Sequence, residues 1–311
     1  MKTNSEMIIK IISFLCPVIT FIGLITNTFT LAIFSRKQFR KTIFSTYFRF
    51  YVAIQTLNLI MPINKFLEWN FDIFFSLFTD FTCKLTFYYS NTNHAIAGWL
   101  LMIISFDRYL SIVYPAKFIF RKKSKIQISI CIAIIGYHLC VYSPYWFRYL
   151  KETQSNETNE TQKKFNCVPP FLWLNSWNLI QEFLIPFCFM SIFTSLTIMA
   201  VFRSRNTSGR SSTGSARPKD LKFAISSIAC NLLFLIFNLP FFIVALINDY
   251  TKLFTNDSLN SRELYEKLLG VSYVLFYSYL CSTFFINYFV NSMFKKETKH
   301  VLLCNKNLNN N

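Results

Sequence analysis

With 311 residues, 53% of them hydrophobic and 19% aromatic, but only 15% charged, this chain lacks the polar surface of a soluble protein, whose charged share is about a quarter. Its net charge of +17 would suit a nucleic-acid partner only if the basic residues stood on a solvated face, and almost no soluble body exists to carry one. A lipid bilayer is the solvent that such a composition fits.

Crossing the roughly 30 Å hydrocarbon layer takes about 20 apolar residues as a helix. Seven such blocks follow one another, at about 8–34, 44–63, 83–114, 126–147, 177–202, 221–247 and 268–294. The first is too long for a signal-peptide core, and no small-residue cleavage site follows it, so it counts as a helix. The second is interrupted by Arg49 and Gln55. The expected organisation is a short amino-terminal segment (1–7), one membrane domain (8–294) and a tail (295–311).

Lys and Arg collect on the cytoplasmic side of short membrane loops. Alternate linkers here are strongly basic: 35–41, 117–125, 203–222 and the tail from Lys295, which together hold 19 basic residues against Asp220 and Glu297. The opposite side holds 11 basic and 11 acidic residues, so the whole surplus lies on one face. That face is read as cytoplasmic and the amino terminus as outside. The glycosylation sequons at Asn156 and Asn159, and a further one at Asn256, then fall in outer loops, whereas the sequon at Asn206 is inside and unused. Among nine cysteines, Cys83 and Cys167 sit at or in outer loops away from the first helix, where an oxidising compartment permits a disulfide. Cys304 is a candidate for acylation at the inner surface.

At the inner end of the third block stands Asp107-Arg108-Tyr109 in "ISFDRYLSIVYP". Cys83 and Arg108 are 25 residues apart, about 37 Å of helix, so one rod joins the outer cysteine to the inner arginine. Snorkelling to lipid headgroups explains one charge at a helix end. It does not explain an aspartate in the last turn, where the helix dipole disfavours an anion. Ionisable groups bordering a membrane are paired or functional.

These residues resemble rhodopsin-like G-protein-coupled receptors, closest in character to neuropeptide receptors. "DRYLSIVYP" is similar to that family's D-R-Y element. The family pairs a third-helix cysteine with one in the second outer loop, which implies Cys83–Cys167. Asn27 in "GLITN" resembles the first-helix motif, Pro186 the fifth-helix proline, and Pro240 in "FNLPF" the sixth-helix proline. "NYFVN", from Asn287 to Asn291, occupies the place of N-P-x-x-Y, and "SMFKKETKHVLLC" resembles the amphipathic eighth helix. The resemblance covers nearly the whole chain and implies an all-α bundle of seven transmembrane helices at the plasma membrane. Several positions depart from the family pattern. Gln55 replaces a buried second-helix Asp, Ala97 a small hydroxyl residue, Asn238 a tryptophan, and Tyr288 and Asn291 the proline and tyrosine of the seventh helix. The fourth helix lacks its tryptophan. The family's sodium pocket is therefore expected to be uncharged and non-functional.

A receptor of this type performs no bond-making chemistry and needs no cofactor or metal; it shifts between two helix arrangements that partners bind unequally. The resemblance implies that Arg108 pairs with Asp107 and Asp220 at rest, that the sixth helix pivots near Pro240, and that the opened cleft receives a heterotrimeric G protein. Asp220 as a plain helix-start carboxylate is the competing reading. The ligand pocket is expected among helices three, five, six and seven, from Ser90, Asn91, His94, Glu182, Phe241, Phe242 and Tyr277. Glu182, a carboxylate inside an apolar block, is the leading candidate, balanced either by a cationic ligand group or by a hydrogen bond to His94. Ser90 stands where amine receptors carry an aspartate, which disfavours an amine. Charged, glycosylated outer loops favour a neuropeptide, with a small-molecule chemosensory receptor as the alternative. A transporter is the rival of another class, but six glycines, an odd helix count and no internal repeat speak against it. Filter loops and hydrolase, metalloprotease and phosphate-loop motifs are absent from the sequence.

Overall fold

A computed structural model gives the fold and describes residues 9–40, 43–114, 124–155, 162–168, 173–207, 218–254 and 259–302. Among the described residues, six helices are long and apolar enough to cross a bilayer: Ile9–Phe34, Asp80–Val113, Ser124–Phe147, Ser176–Arg203, Ile225–Ile247 and Lys267–Val290. The remaining crossing, between the first two, is made in two shorter pieces. The result is an all-α bundle of seven transmembrane helices with a short eighth helix.

Helix α1 (Leu15–Phe34, entered from Ile9) buries Thr20, Gly23, Asn27 and Thr30 on one stripe and turns Phe21 and Ile25 to lipid. Its threonines donate back to their own helix, Thr20 to Cys16 O at 3.0 Å and Thr30 to Thr26 O at 2.7 Å. In a medium without water this keeps each hydroxyl satisfied. Helix α2 runs as Ile43–Asn58 and then Ile60–Phe71. Pro62 cannot donate to Asn58 O, the ladder slips at Leu59, whose N–H bonds Thr56 O instead, and neither piece alone reaches spanning length. The second crossing is therefore longer than its apolar block. It ends at Asp72, in the left-handed conformation (φ 54°), with the Ile73 N–H closing on Leu67 O.

Helix α3 (Asp80–Val113) starts on a capping box: Thr79 Oγ1 accepts from Thr82 N, and Thr82 Oγ1 from Thr79 N. Helix α4 (Ser124–Val141) ends in a 3₁₀ turn, Ser143–Phe147. Two strands that the apolar blocks do not announce follow, β1 (Tyr149–Ser155) and β2 (Gln162–Val168), paired antiparallel with Leu150 opposite Cys167. The sequons at Asn156 and Asn159, between these strands, lie outside the described residues, as do Asn256 and Cys304.

Helix α5 comprises Trp173–Leu179, a π turn Ile180–Leu184, and Ile185–Thr207. Pro186 frees the carbonyl of Glu182, which favours the wider turn. Helix α6 (Pro218–Phe254) carries Pro240 within it. Helix α7 (Leu259–Val290) starts nine residues earlier than its apolar block, and α8 is Ser292–Leu302. Phe34 of α1 is the hub of an aromatic cluster, stacked on Phe48 of α2 and against Phe294 of α8, each at 5.4 Å between ring centroids. Arg36 and the buried Glu297 add an ion pair at 3.2 Å, which fixes α8 to the end of α1.

Helices α3 and α5 meet at a glycine. A Cβ on Gly98 would lie 3.2 Å from Glu182 O and 3.3 Å from the Pro186 ring, whereas one on Gly136 of α4 would touch nothing within 4 Å. Gly98→Val should thus lower stability in thermal unfolding by about 1–3 kcal/mol. Gly136→Ala should leave it unchanged or raise it by up to about 1 kcal/mol.

Candidate functional site

The two ends of α3 are built differently. At one end Cys83 is buried and bonded to Cys167, with Cα atoms 5.8 Å apart. Asp80, one turn before Cys83, accepts a hydrogen bond from Leu150 N at 3.2 Å and pairs with Lys84 at 2.5 Å. The hairpin is thus fixed to α3 by a covalent link through β2 and a carboxylate contact to β1.

At the other end Asp107 and Arg108 are each only 2% exposed, and Tyr109 packs against Phe193 of α5 at 6.1 Å. Arg108 lies within electrostatic reach of the Cys230 thiol on α6. The backbone of Asp220 belongs to the first turn of α6, but its side chain is outside the described residues.

Hydrogen bonds across helices tie this half of the bundle together. Asn231 Nδ2 of α6 is shared between Ser105 Oγ of α3, at 2.7 Å, and Thr194 Oγ1 of α5, at 2.8 Å. Ser226 Oγ of α6 donates to Asn287 Oδ1 of α7 at 2.8 Å, and Asn27 Nδ2 of α1 to Leu280 O of α7 at 3.2 Å. Asn231, Ser105, Thr194 and Ser226 escape a sequence reading, because a lone polar residue in an apolar run does not say which helix it faces. The one available signal is that each is a hydrogen-bonding group where lipid offers no partner.

Asn291 caps α8. Its Oδ1 accepts from Met293 N at 3.1 Å and Phe294 N at 3.3 Å, which starts α8.

Between these ends a small cavity, with room for about one water molecule, lies among α2, α3, α5, α6 and α7. Its lining includes His94 and Glu182 from the expected pocket, together with Gln55, Ala97 and Asn238, three of the positions that depart from the family pattern. Phe242 lines it as well, while Phe234, Phe276, Tyr279 and Leu280 complete it. The other expected pocket residues are elsewhere. Asn91 Oδ1 accepts from Asn178 Nδ2 at 3.0 Å, Ser90 contributes its carbonyl to His94, Phe241 stacks near Tyr273 at 4.9 Å, and Tyr277 is buried against Phe276. Glu182 makes no hydrogen bond to His94: Glu182 Oε1 and His94 Nε2 are both without a partner among the described residues. The π turn places the carboxylate, and Trp99 Nε1 of α3 anchors that turn by donating to Gln181 O at 3.0 Å.

A disulfide-tethered hairpin at one end, a buried Asp-Arg pair at the other and seven crossings between them define a membrane receptor bundle. The chain belongs to the family described as "7 transmembrane receptor (rhodopsin family)", which matches residues 26–284. Members of that family are receptors and not enzymes, and the match gives the transporter alternative no support. Two relatives are similar over shorter stretches. Atypical chemokine receptor 3 of Canis lupus familiaris is 29% identical over 178 residues, 55% of this chain and 46% of its own length. Cysteinyl leukotriene receptor 1 of Sus scrofa is 24% identical over 213 residues, 65% of this chain and 60% of its own. The chain thus spans about half the length of the curated relatives it matches.

Asn291→Ala should remove the α8 cap at a cost of about 1 kcal/mol. Hydrogen exchange should quicken at the Met293 and Phe294 amides while Asn291→Asp keeps them protected.

Proposed function

We propose that this chain is a G-protein-coupled receptor that carries the binding of an extracellular peptide to a heterotrimeric G protein. The observation that carries the reading is the burial of Arg108, a permanent cation only 2% exposed at the opposite end of α3 from the disulfide. A cation held inside a bundle is costly. Its retention makes sense if a second helix arrangement uncovers it for a partner.

The remaining features fit that motion. Pro240 removes a backbone bond midway along α6. Side-chain hydrogen bonds from Asn231 and Ser226, of modest worth in a membrane, help to hold α6 on the Arg108 side. Outward movement of α6 would exchange them for contacts to the G protein, and Asp220 is proposed to add a salt bridge at rest.

Orientation is assigned from charge. The surplus of basic residues borders the Arg108 end, which is therefore cytoplasmic, and the disulfide and the amino terminus are outside. The names of the two relatives divide between a chemokine and a cysteinyl leukotriene. Support for a peptide comes from this chain's own mouth: a two-stranded hairpin, tethered to α3, offers extended edges to which an extended ligand backbone can add. The charge-rich sequence from Lys151 to Lys164 suits a polar ligand.

Two substitutions test the switch. Asn231→Leu removes a clamp worth about 1–3 kcal/mol, and Asp220→Lys reverses the charge proposed to meet Arg108. Each should raise ligand-free nucleotide exchange on co-reconstituted G proteins several-fold. Flat basal exchange in both variants would overturn the α6 movement. Epitope tags at the two termini, found on the same side of intact cells, would overturn the orientation.

A further inference from the structure

The central cavity has an uneven chemistry: an imidazole nitrogen and a carboxylate oxygen on its wall have no partner among the described residues, and its lining holds no cation to balance the carboxylate. His94 Nδ1 donates to Ser90 O at 2.8 Å, so the neutral ring leaves Nε2 as an acceptor. Asn238 Nδ2 donates to Phe234 O at 2.6 Å, and Gln55 Nε2 to Tyr51 Oη at 2.5 Å. Tyr51 in turn bonds Tyr279 Oη. Each of these amide and imidazole bonds stays within its own helix, four residues back. Left over are the His94 Nε2 lone pair and the Glu182 carboxylate, whose Nε2 and Oε1 have no partner among the described residues. No lysine or arginine is among the lining residues. Aromatic rings close the walls, with Phe183 stacked on Phe242 at 4.1 Å and Phe276 against His94 at 4.6 Å.

Such a set is complementary to one kind of guest, a small cation that carries hydrogen-bond donors. Each N–H finds an acceptor, the charge finds its counter-charge, and the ring faces add cation–π attraction. Size narrows the choice. A space of about one water molecule matches an ammonium head, whereas a planar guanidinium or a methylated ammonium is too broad.

We propose that this cavity receives a primary ammonium group carried by the extracellular ligand, with Glu182 as counter-ion and His94 Nε2 as a second acceptor. The proposal rests on the receptor reading above. His94 lies eleven residues along α3 from Cys83, about 16 Å below the disulfide, so the group must be borne on a narrow part of the ligand, a chain terminus or an extended lysine side chain. The carboxylate comes from α5 and not from position 90 of α3, so an amine is read here without an aspartate at the amine-receptor position.

The test uses the full chain in phospholipid nanodiscs and thermal unfolding. The probes are n-butylammonium, tetramethylammonium and sodium chlorides at equal ionic strength. Butylammonium should raise Tm saturably and the other two should not. Glu182→Gln should weaken the butylammonium response by roughly ten- to a hundredfold, the loss of one charge-assisted bond. An equal rise with tetramethylammonium or with sodium overturns the ammonium assignment, as does an unchanged response in Glu182→Gln. If that variant fails to fold, the three cations on the unaltered chain still decide. The readout involves no signalling. A saturable ammonium response beside flat exchange in Asn231→Leu and Asp220→Lys would keep the cation site and remove the α6 movement; raised exchange without an ammonium response would remove only the site.

Discussion

Inside a bilayer a polar group must find its partner within the protein, and the arrangement of this bundle follows from that constraint. The threonines of α1 solve it locally by bonding their own helix. Asn27, Asn231 and Asn287 solve it by reaching a neighbour, and in doing so they decide which helices lie together. A hydrogen bond between transmembrane helices averages about 0.6 kcal/mol and rarely exceeds about 2. Such ties are strong enough to set one arrangement and weak enough to be exchanged for another. The two ends of the molecule differ in this respect. Toward the hairpin, α3 is held by a disulfide; toward Arg108, α6 is held by packing and by hydrogen bonds from Asn231 and Ser226, with no covalent link among the described residues.

Three prolines show how one missing N–H can have three outcomes. At Pro62 the ladder slips and α2 breaks at Leu59. At Pro186 the preceding turn widens to a π turn, which Gly98 has the space to receive and Trp99 stabilises. At Pro240 the helix continues. The neighbours make the difference. Glu182 reaches the central cavity only because the second outcome occurs on α5, and a regular helix through residues 180–184 would carry the carboxylate to another face. A backbone irregularity thus decides whether the bundle has an acidic centre.

Much of the fold was legible in the sequence because membrane crossing is a length and composition problem. The apolar blocks, the basic linkers and the Cys83-to-Arg108 distance are properties of one segment at a time. Where the reading ran short, the cause was local. The second and seventh helices extend past their apolar blocks because the backbone ladder continues where the side chains turn polar. The hairpin was missed because its strands, rich in Lys, Glu and Gln, show no alternation of apolar and polar residues. The candidate pocket was half legible. His94, Glu182 and Phe242 converge, while Ser90, Asn91, Phe241 and Tyr277 serve other contacts.

The sequence by itself determined that the chain is a membrane protein, that it makes seven crossings, and which residues end α3. Those features depend on burial in lipid and on rise per residue, both additive along the chain. Only the tertiary structure decided that Gln55, Ala97 and Asn238 share a cavity with His94 and Glu182, that Asn231 bridges α3 and α5, and that Asn291 is a helix cap. Which face a polar side chain presents depends on helix rotation. Rotation is set by breaks, wide turns and packing against neighbours far away in the chain.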